Sequence, residues 1–521
     1  MDKDSVERKE VDDEASQAVN LDSLTSSKVL ARNTVWNLLG QGAPMVMALF
    51  AIPVLVKGLG VDRFGVLTLA WVVIGYFSLF DLGLGRALTQ IVAKRLGKEE
   101  AIELPRLVWT ALAIMAIMGV IGAVIAGSLS PLLIAKIFKM PDQLRPESLH
   151  AFYILSASIP IVILSSGFVG ILTAHQRFDL INAVRIPLGL ANFIVPLLVL
   201  PFSTSIASIT LLLALSRLAS CVAQYWLCLG AMPSLRREKR FMPMAIKPLF
   251  SFGGWMTVSN IIGPLMVYLD RFVIGAVISV TAVAYYATPY EMVTKLWIVS
   301  GALVATLFPA FAATNNSDAS RTIQLLSKSI AATFILIFPI VLVIVTFSQE
   351  GLMIWLGKDF ANNSAPVLQW LAAGVFINCL AQVIFALIQG RGRPDLTAKI
   401  HLLELLFYLP LLWWALKQYG IVGAAVTWTL RVTIDGILLL WASQRLIPFA
   451  RNVTLKLSGC VIMASIVLAL CGLPDSLTVR SILFGVTSLI FTPFSLLYLW
   501  RNGILGIMPP RGVISEATHT S

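Results

Sequence analysis

About fourteen times along this chain an apolar run long enough for a membrane-spanning helix is closed by a cluster of charge, proline or glycine. The predicted runs are 33–56, 65–88, 107–128, 150–172, 183–201, 206–231, 250–277, 283–312, 326–347, 366–388, 400–416, 420–444, 456–473 and 481–500. Nothing constrains the fold more, because backbone inside a bilayer must satisfy its own hydrogen bonds, which leaves helices or closed barrels. Runs of this length select helices. Composition agrees: 58% of the 521 residues are hydrophobic and 13% charged, against roughly 45–50% and 25% in soluble domains. The expected fold is therefore all-α and polytopic. Interior prolines such as Pro44, Pro160 and Pro289 do not argue against helices, since neighbouring helices can satisfy the freed backbone groups.

The net charge of +12 points to topology rather than to nucleic acid, for no basic run interleaved with aromatics stands outside the apolar blocks. With a cytoplasmic N-terminus, about 26 of the 39 basic residues fall beyond or just within the cytoplasmic ends of the spans and about 8 on the outer side, with the other five deeper inside spans, the asymmetry that sets orientation. An even span count puts both termini in the cytoplasm. Residues 1–31 are polar and acidic, lack the apolar core of a signal peptide, and read as a disordered cytoplasmic tail. Residues 501–521 form a second tail.

Two halves overlay at an offset near 219, which sets Trp36 on Trp255. Farther on, "HQRFDLINAVRI" (175–186) matches "GRGRPDLTAKIH" (390–401) at an offset near 216. The expected organisation is an N-terminal six-helix lobe (32–231), a basic cytoplasmic linker (232–249), a C-terminal six-helix lobe (250–447) and two extra helices (448–500). Six spans per half make a parallel pseudo-repeat, a plan that places a transporter's substrate site near the midplane.

Charges inside spans are the candidate functional residues, since each costs about 2.5–3.5 kcal/mol at bilayer depth on insertion scales. Asp270 and Arg271 are adjacent in "MVYLDRFVIGAVI" and point about 100° apart on a helix. They pair poorly with each other, so one is expected to pair with another helix while the other faces a cavity. Glu291 and Lys295, and likewise Arg431 and Asp435, have i,i+4 spacing and are expected to pair on their own helices. Arg217 has no acidic residue on its helix and needs a partner across the bundle or an anionic ligand. "FDLGLGRALTQ" sets Asp81 and Arg86 around two glycines; without a preceding strand or a Lys-Ser/Thr it is no phosphate loop. Neither an ATP-binding domain nor a catalytic motif is visible, and an enzyme's large outer loop is missing. Five cysteines and four histidines form no C-x-x-C pair and no ligand cluster, so no cofactor or metal is expected.

Three segments carry a family resemblance: "NTVWNLLGQGAPMVMALFAIPVLVKGLGVDRFGVLTLA", "FDLGLGRALTQIVAKRLG" and "YLDRFVIGAVISVTAVAYYATPYEMV". Over about residues 30–500 the chain resembles the polysaccharide transporters, the O-antigen and exopolysaccharide flippases of the multidrug/oligosaccharidyl-lipid/polysaccharide exporter superfamily. The resemblance implies twelve core helices in two lobes, often fourteen in all. It also implies alternating access, and sugars on undecaprenyl diphosphate as the substrate. It transfers a diphosphate-binding role to Arg271, with Asp270 as its acidic neighbour, while Arg86 stands where many relatives carry a small or polar residue. Lys295, Arg431 and Arg217 join the diphosphate candidates on their position inside spans alone. Asp270, Glu291, Glu404, Asp435 and Asp81 are the candidates for pairing or for coupling to a proton or sodium ion. Expected surroundings are lipid, the bacterial inner membrane, and a polysaccharide polymerase with its assembly proteins. A cation-coupled multidrug exporter, a membrane polymerase and an assembly scaffold stay open as alternatives.

Overall fold

The computed structural model describes residues 27–77, 84–96, 104–236, 268–302, 304, 319–391, 393–446 and 451–501. The basic linker, most of the predicted 250–277 span, Asp81 and both tails lie outside them. Among the described residues the chain is all-helical, and nine helices are long and apolar enough to cross a membrane. The exact figure of fourteen remains an expectation.

The chain divides into two compact units, Met1–Tyr268 and Leu269–Ser521. The first contains α1 (Ser27–Phe77), α2 (Leu84–Leu96), α3 (Leu104–Leu132), α4 (Arg145–Ala157), α5 (Ile159–Ala174), α6 (Phe178–Val199) and α7 (Ile206–Ala231). Here α6 packs along α1, α5 against α2 and α3, and α7 against α4, α5 and α6. Its core is aliphatic, with Leu88, Ala111, Met115, Ile159, Ile163 and Ile171 at or near full burial.

The second unit contains α8 (268–277), α9 (Val280–Thr294), α10 (Ala319–Thr346), α11 (Ser348–Leu356), α12 (Lys358–Gly390), α13 (Pro394–Leu446), α14 (Arg451–Gly472) and α15 (Leu477–Arg501). Helix α12 is its axis: 72% of its apolar window is buried, and α9, α10, α11 and α13 all pack on it. By contrast only 6% of the α15 window is buried. Its apolar surface, including Ile482, Leu489, Ile490 and Phe494, suits lipid rather than a core.

Two long helices join predicted spans across a bend at one glycine. Gly60 (φ 77°, ψ 160°) bends α1 between the run 33–56 and the part of the run 65–88 that reaches Phe77; residues 78–83 lie outside the described residues, and 84–88 begin α2. Gly420 (φ 60°, ψ −146°) bends α13 between 400–416 and 420–444. Both conformations are open to glycine and strained for other residues. The short α11 was not foreseen. Its nine residues are too few to register as a span.

The C-terminal hairpin of α14 and α15 is fastened to the second unit by polar contacts. Arg480 of α15 is buried and donates to the Thr346 carbonyl at 2.7 Å and to Glu350 of α11 at 2.6 and 3.2 Å. Gln369 of α12 donates to the Gly472 carbonyl at 3.1 Å. The internal repeat also has a local echo. Arg177 and Arg393, 216 residues apart, each precede a helix and grip the aspartate two residues on, Asp179 and Asp395, through Nε and Nη2.

Candidate functional site

The second unit gathers most of the intramembrane charge, on α8, α9 and α13. Asp270 and Arg271 are both fully buried. The Asp270 carboxylate accepts the Tyr286 hydroxyl at 2.7 Å and the Arg271 backbone N–H at 2.8 Å. Arg271 donates from Nη2 to Glu291 at 3.0 Å, and its guanidinium lies 4.3 Å from the Tyr290 ring centroid. The two charges do diverge, as their 100° separation requires. Among the described residues both are enclosed, where the sequence suggested that one would face a cavity: both turn to α9, where Tyr286, Tyr290 and Glu291 supply a donor, a π-face and a counter-charge.

Glu291 and Lys295 form the expected i,i+4 pair at 3.2 Å. Their side chains are 47% and 39% exposed, whereas Arg271 behind them is completely enclosed. This carboxylate is therefore shared by two cations, one buried and one accessible. The Tyr286 and Tyr290 rings stack at 6.1 Å, and Tyr290 meets Trp428 of α13 edge-on at 5.5 Å.

The second cluster lies along α13. Arg431 does not pair with Asp435 as i,i+4 spacing suggested. It reaches Glu404 in the other half of the bent helix at 3.5 Å, while Asp435 lies 3.5 Å from His401. The bend at Gly420 returns the second half of α13 past the first, so a cross-helix partner competes with the neighbour one turn away. Tyr408 and Trp428 hold the Arg431 guanidinium at 5.5 and 6.0 Å from their ring centroids. Trp428 is itself pressed against α12: a Cβ on Gly374 would fall 2.6 Å from its ring. Close helix approach at Gly374 thus sets where Trp428, and through it Arg431, can lie.

Arg217 sits apart, in the first unit. It is buried, and donates to Asn192 Oδ1 at 3.1 Å and to the Leu213 carbonyl at 3.2 Å. Its hydrogen bonds go to neutral acceptors, and among the described residues no carboxylate pairs with it. Arg86 lies on α2, with its side chain outside the described residues. No group of three His, Cys, Asp or Glu side chains suited to a metal occurs among the described residues.

Sequence reasoning missed Tyr286, Tyr290, Tyr408, Trp428 and His401. The spacing of Tyr286 and Tyr290 was visible as an i,i+4 aromatic pair beside Glu291, but aromatic residues in apolar spans are too common to single out.

Residues 30–315 match the polysaccharide biosynthesis protein family model. A Shigella flexneri protein named for O-antigen transport is 31% identical over 424 residues, 81% of this chain and 100% of the relative. Among solved structures, an inward-facing MATE family transporter of the MOP superfamily superposes with a TM-score of 0.66 at 14% identity, covering 78% of this chain and 98% of that one. The lipid II flippase MurJ in an inward closed conformation gives 0.65 at 13% identity, over 90% and 100%. At such identities these structures establish the fold alone. The match to the family over more than half the chain, and the alignment with the whole of the Shigella protein, show that this chain is a member of the polysaccharide biosynthesis protein family.

Proposed function

We propose that the protein is a flippase that moves an oligosaccharide linked to undecaprenyl diphosphate from the cytoplasmic to the outer leaflet of a bacterial inner membrane, by alternating access. One observation carries the chemical side of this reading: the cations inside the spans have acceptors that are either neutral or shared. Two cations, Arg271 and Lys295, share the Glu291 carboxylate, and Arg217 has only neutral acceptors. A diphosphate is the anion such groups suit, because a guanidinium donates two hydrogen bonds in one plane. Lys295 offers the accessible charge, with Arg271 in reserve behind Glu291. Arg431, Arg217 and Arg86 complete the diphosphate candidates. The acidic groups Asp270, Glu291, Glu404, Asp435 and Asp81 are candidates for coupling to a proton or sodium gradient, and a polysaccharide polymerase would take the product on the outer side. The relative's name supports a transporter rather than an enzyme.

The test is the leaflet location of lipid-linked glycan in cells lacking the protein. The expected result is a build-up on the cytoplasmic leaflet, relieved by the wild type but poorly by Arg217→Gln or Lys295→Gln at equal protein level. Unpolymerised glycan already on the outer leaflet would point to an assembly role and overturn the reading.

A further inference from the structure

Helix α12 carries a polar stripe that the charged clusters leave unused. Asn378, Gln382 and Gln389, with Phe385 among them, fall within about 60° of one another at 100° per residue. All four are half-buried on a helix that is otherwise mostly enclosed. Toward Lys358 the same sector reaches Gly374, where the Trp428 ring is pressed against the helix. Toward Gly390, the end predicted to be cytoplasmic, it stays partly open over ~16 Å. Hydrocarbon cannot supply hydrogen bonds to a row of amides, so this sector faces polar groups rather than lipid. Against it lies the helical stretch 297–302. Backbone i,i+3 bonds from Leu296 to Val293, Ile298 to Lys295 and Val299 to Leu296 tighten the chain between α9 and that stretch. Ser300 Oγ donates to Gln382 Oε1 at 2.8 Å, and Gln382 Nε2 donates to Asn378 Oδ1 at 3.1 Å. A network made only to join two helices would close on itself. This one ends in open donors. Among the described residues Asn378 Nδ2 and the Gln389 amide have no partner, and neither has the buried indole N–H of Trp297.

We propose that this face is a carbohydrate subsite, in which Asn378, Gln382 and Gln389, with Ser300 and Trp297 opposite, bind the neutral hydroxyls of the lipid-linked glycan. A pyranose ring has a rim of hydroxyls, each both donor and acceptor, and an apolar C–H face. A primary amide offers donor and acceptor together, and an indole ring beside it can cover the C–H face. The hydrogen-bonded chain from Ser300 through Gln382 holds Asn378 in place, so its Nδ2 meets the ligand already aimed. Being uncharged, the stripe leaves the diphosphate to the cations and reads the sugar alone. Gln389, nearest the open end, meets the glycan first. The inference deepens the flippase reading and rests on it for the ligand being a glycan.

The test uses the full chain in nanodiscs with two probes: the lipid-linked glycan extracted from cells lacking the protein, and undecaprenyl diphosphate without sugar. The wild type should bind the glycan-bearing lipid about tenfold more tightly, the equivalent of two ordinary neutral hydrogen bonds. Asn378→Leu and Gln382→Leu should each erase most of that difference while binding the sugar-free lipid as before, which also shows that they fold. Lys295→Gln should instead weaken both probes equally. A second measurement removes no hydrogen bond: Gln389→Cys, with the exposed Cys460 replaced, should react with a maleimide. The glycan-bearing lipid should slow that reaction several-fold, and the sugar-free lipid should not. Equal binding of the two probes by the wild type, or amide variants that keep the preference, would overturn the inference and leave the flippase reading standing. So would a Gln389→Cys that does not react, or that the glycan-bearing lipid fails to protect. If the leucine variants lose both probes, the protection of Gln389→Cys decides alone. A wild type that binds neither lipid would remove the subsite and the flippase reading together.

Discussion

At the scale of single residues, the question is what a charge needs before an apolar helix can keep it. Asp270 is kept by the Tyr286 hydroxyl and a backbone N–H, and Arg271 by a ring face and a carboxylate. Tyr286→Phe removes a donor from a fully buried carboxylate without changing its packing. The expected cost is about 1–3 kcal/mol, seen as a lower melting temperature in detergent, and Asp270→Asn in the same background should recover part of it. An unchanged melting temperature would mean that the carboxylate finds its donor elsewhere. Glu291→Gln should cost a similar amount, because a buried guanidinium loses its counter-charge. Lys295→Gln should cost at most about 1 kcal/mol, since that pair is well exposed. These partners show how far the sequence could be read. A charge in an apolar run was conspicuous, and its need for a partner followed from the cost of burial. Which partner it takes depends on how two helices pack, and spacing along one helix does not contain that. Arg431 is the instructive case: Asp435 stood at the right interval, yet Glu404 holds the guanidinium.

Elements are joined in this protein by bends as much as by loops. The apolar runs on either side of Gly420 were legible, but the connection between them is one glycine in a backbone conformation closed to other residues. Gly420→Ala should therefore destabilise by about 1–3 kcal/mol. It should also disturb Arg431 and Glu404, which the bend brings together, so transport should fall more than a melting shift alone explains. The same helix records its setting in the bilayer. Lys417 lies 3.7 Å over the Trp413 ring on one side of the bend, and Arg445 lies 3.8 Å over Trp441 at the far end. From Gly420 to Trp441 the helix rises by ~32 Å, close to the hydrocarbon thickness of about 30 Å. Aromatic rings carrying a cation at both ends of such a segment are the expected interfacial anchors. Hydropathy found this segment because length and composition define it. It did not find α11, whose nine residues pack on α12 and seat Glu350. Arg480→Ala should release the C-terminal hairpin from that seat and raise protease sensitivity near α14 before the rest of the second unit unfolds.

For the whole molecule, the internal repeat and the distribution of basic residues make the same claim by independent routes. A parallel repeat of six spans places equivalent loops on one side of the membrane; an inverted repeat would place them on opposite sides. The equivalent loops are those before α6 and α13, where Arg177 grips Asp179 and Arg393 grips Asp395. The excess of Lys and Arg predicts that both loops are cytoplasmic, and that Lys417, at the opposite end of the first half of α13, is outside. Cysteines placed singly at Arg177, Arg393 and Lys417, with the exposed Cys460 replaced, turn this into a labelling experiment with a membrane-impermeant maleimide on intact cells. Lys417→Cys should label directly, whereas Arg177→Cys and Arg393→Cys should label only after permeabilisation. If the two arginine positions label differently from each other, the repeat is not parallel and the six-plus-six organisation fails. If they agree but all three positions are reversed, the repeat stands and the orientation is wrong. The direction of flipping would then have to be reconsidered, because a substrate assembled in the cytoplasm must first meet the face that carries these loops.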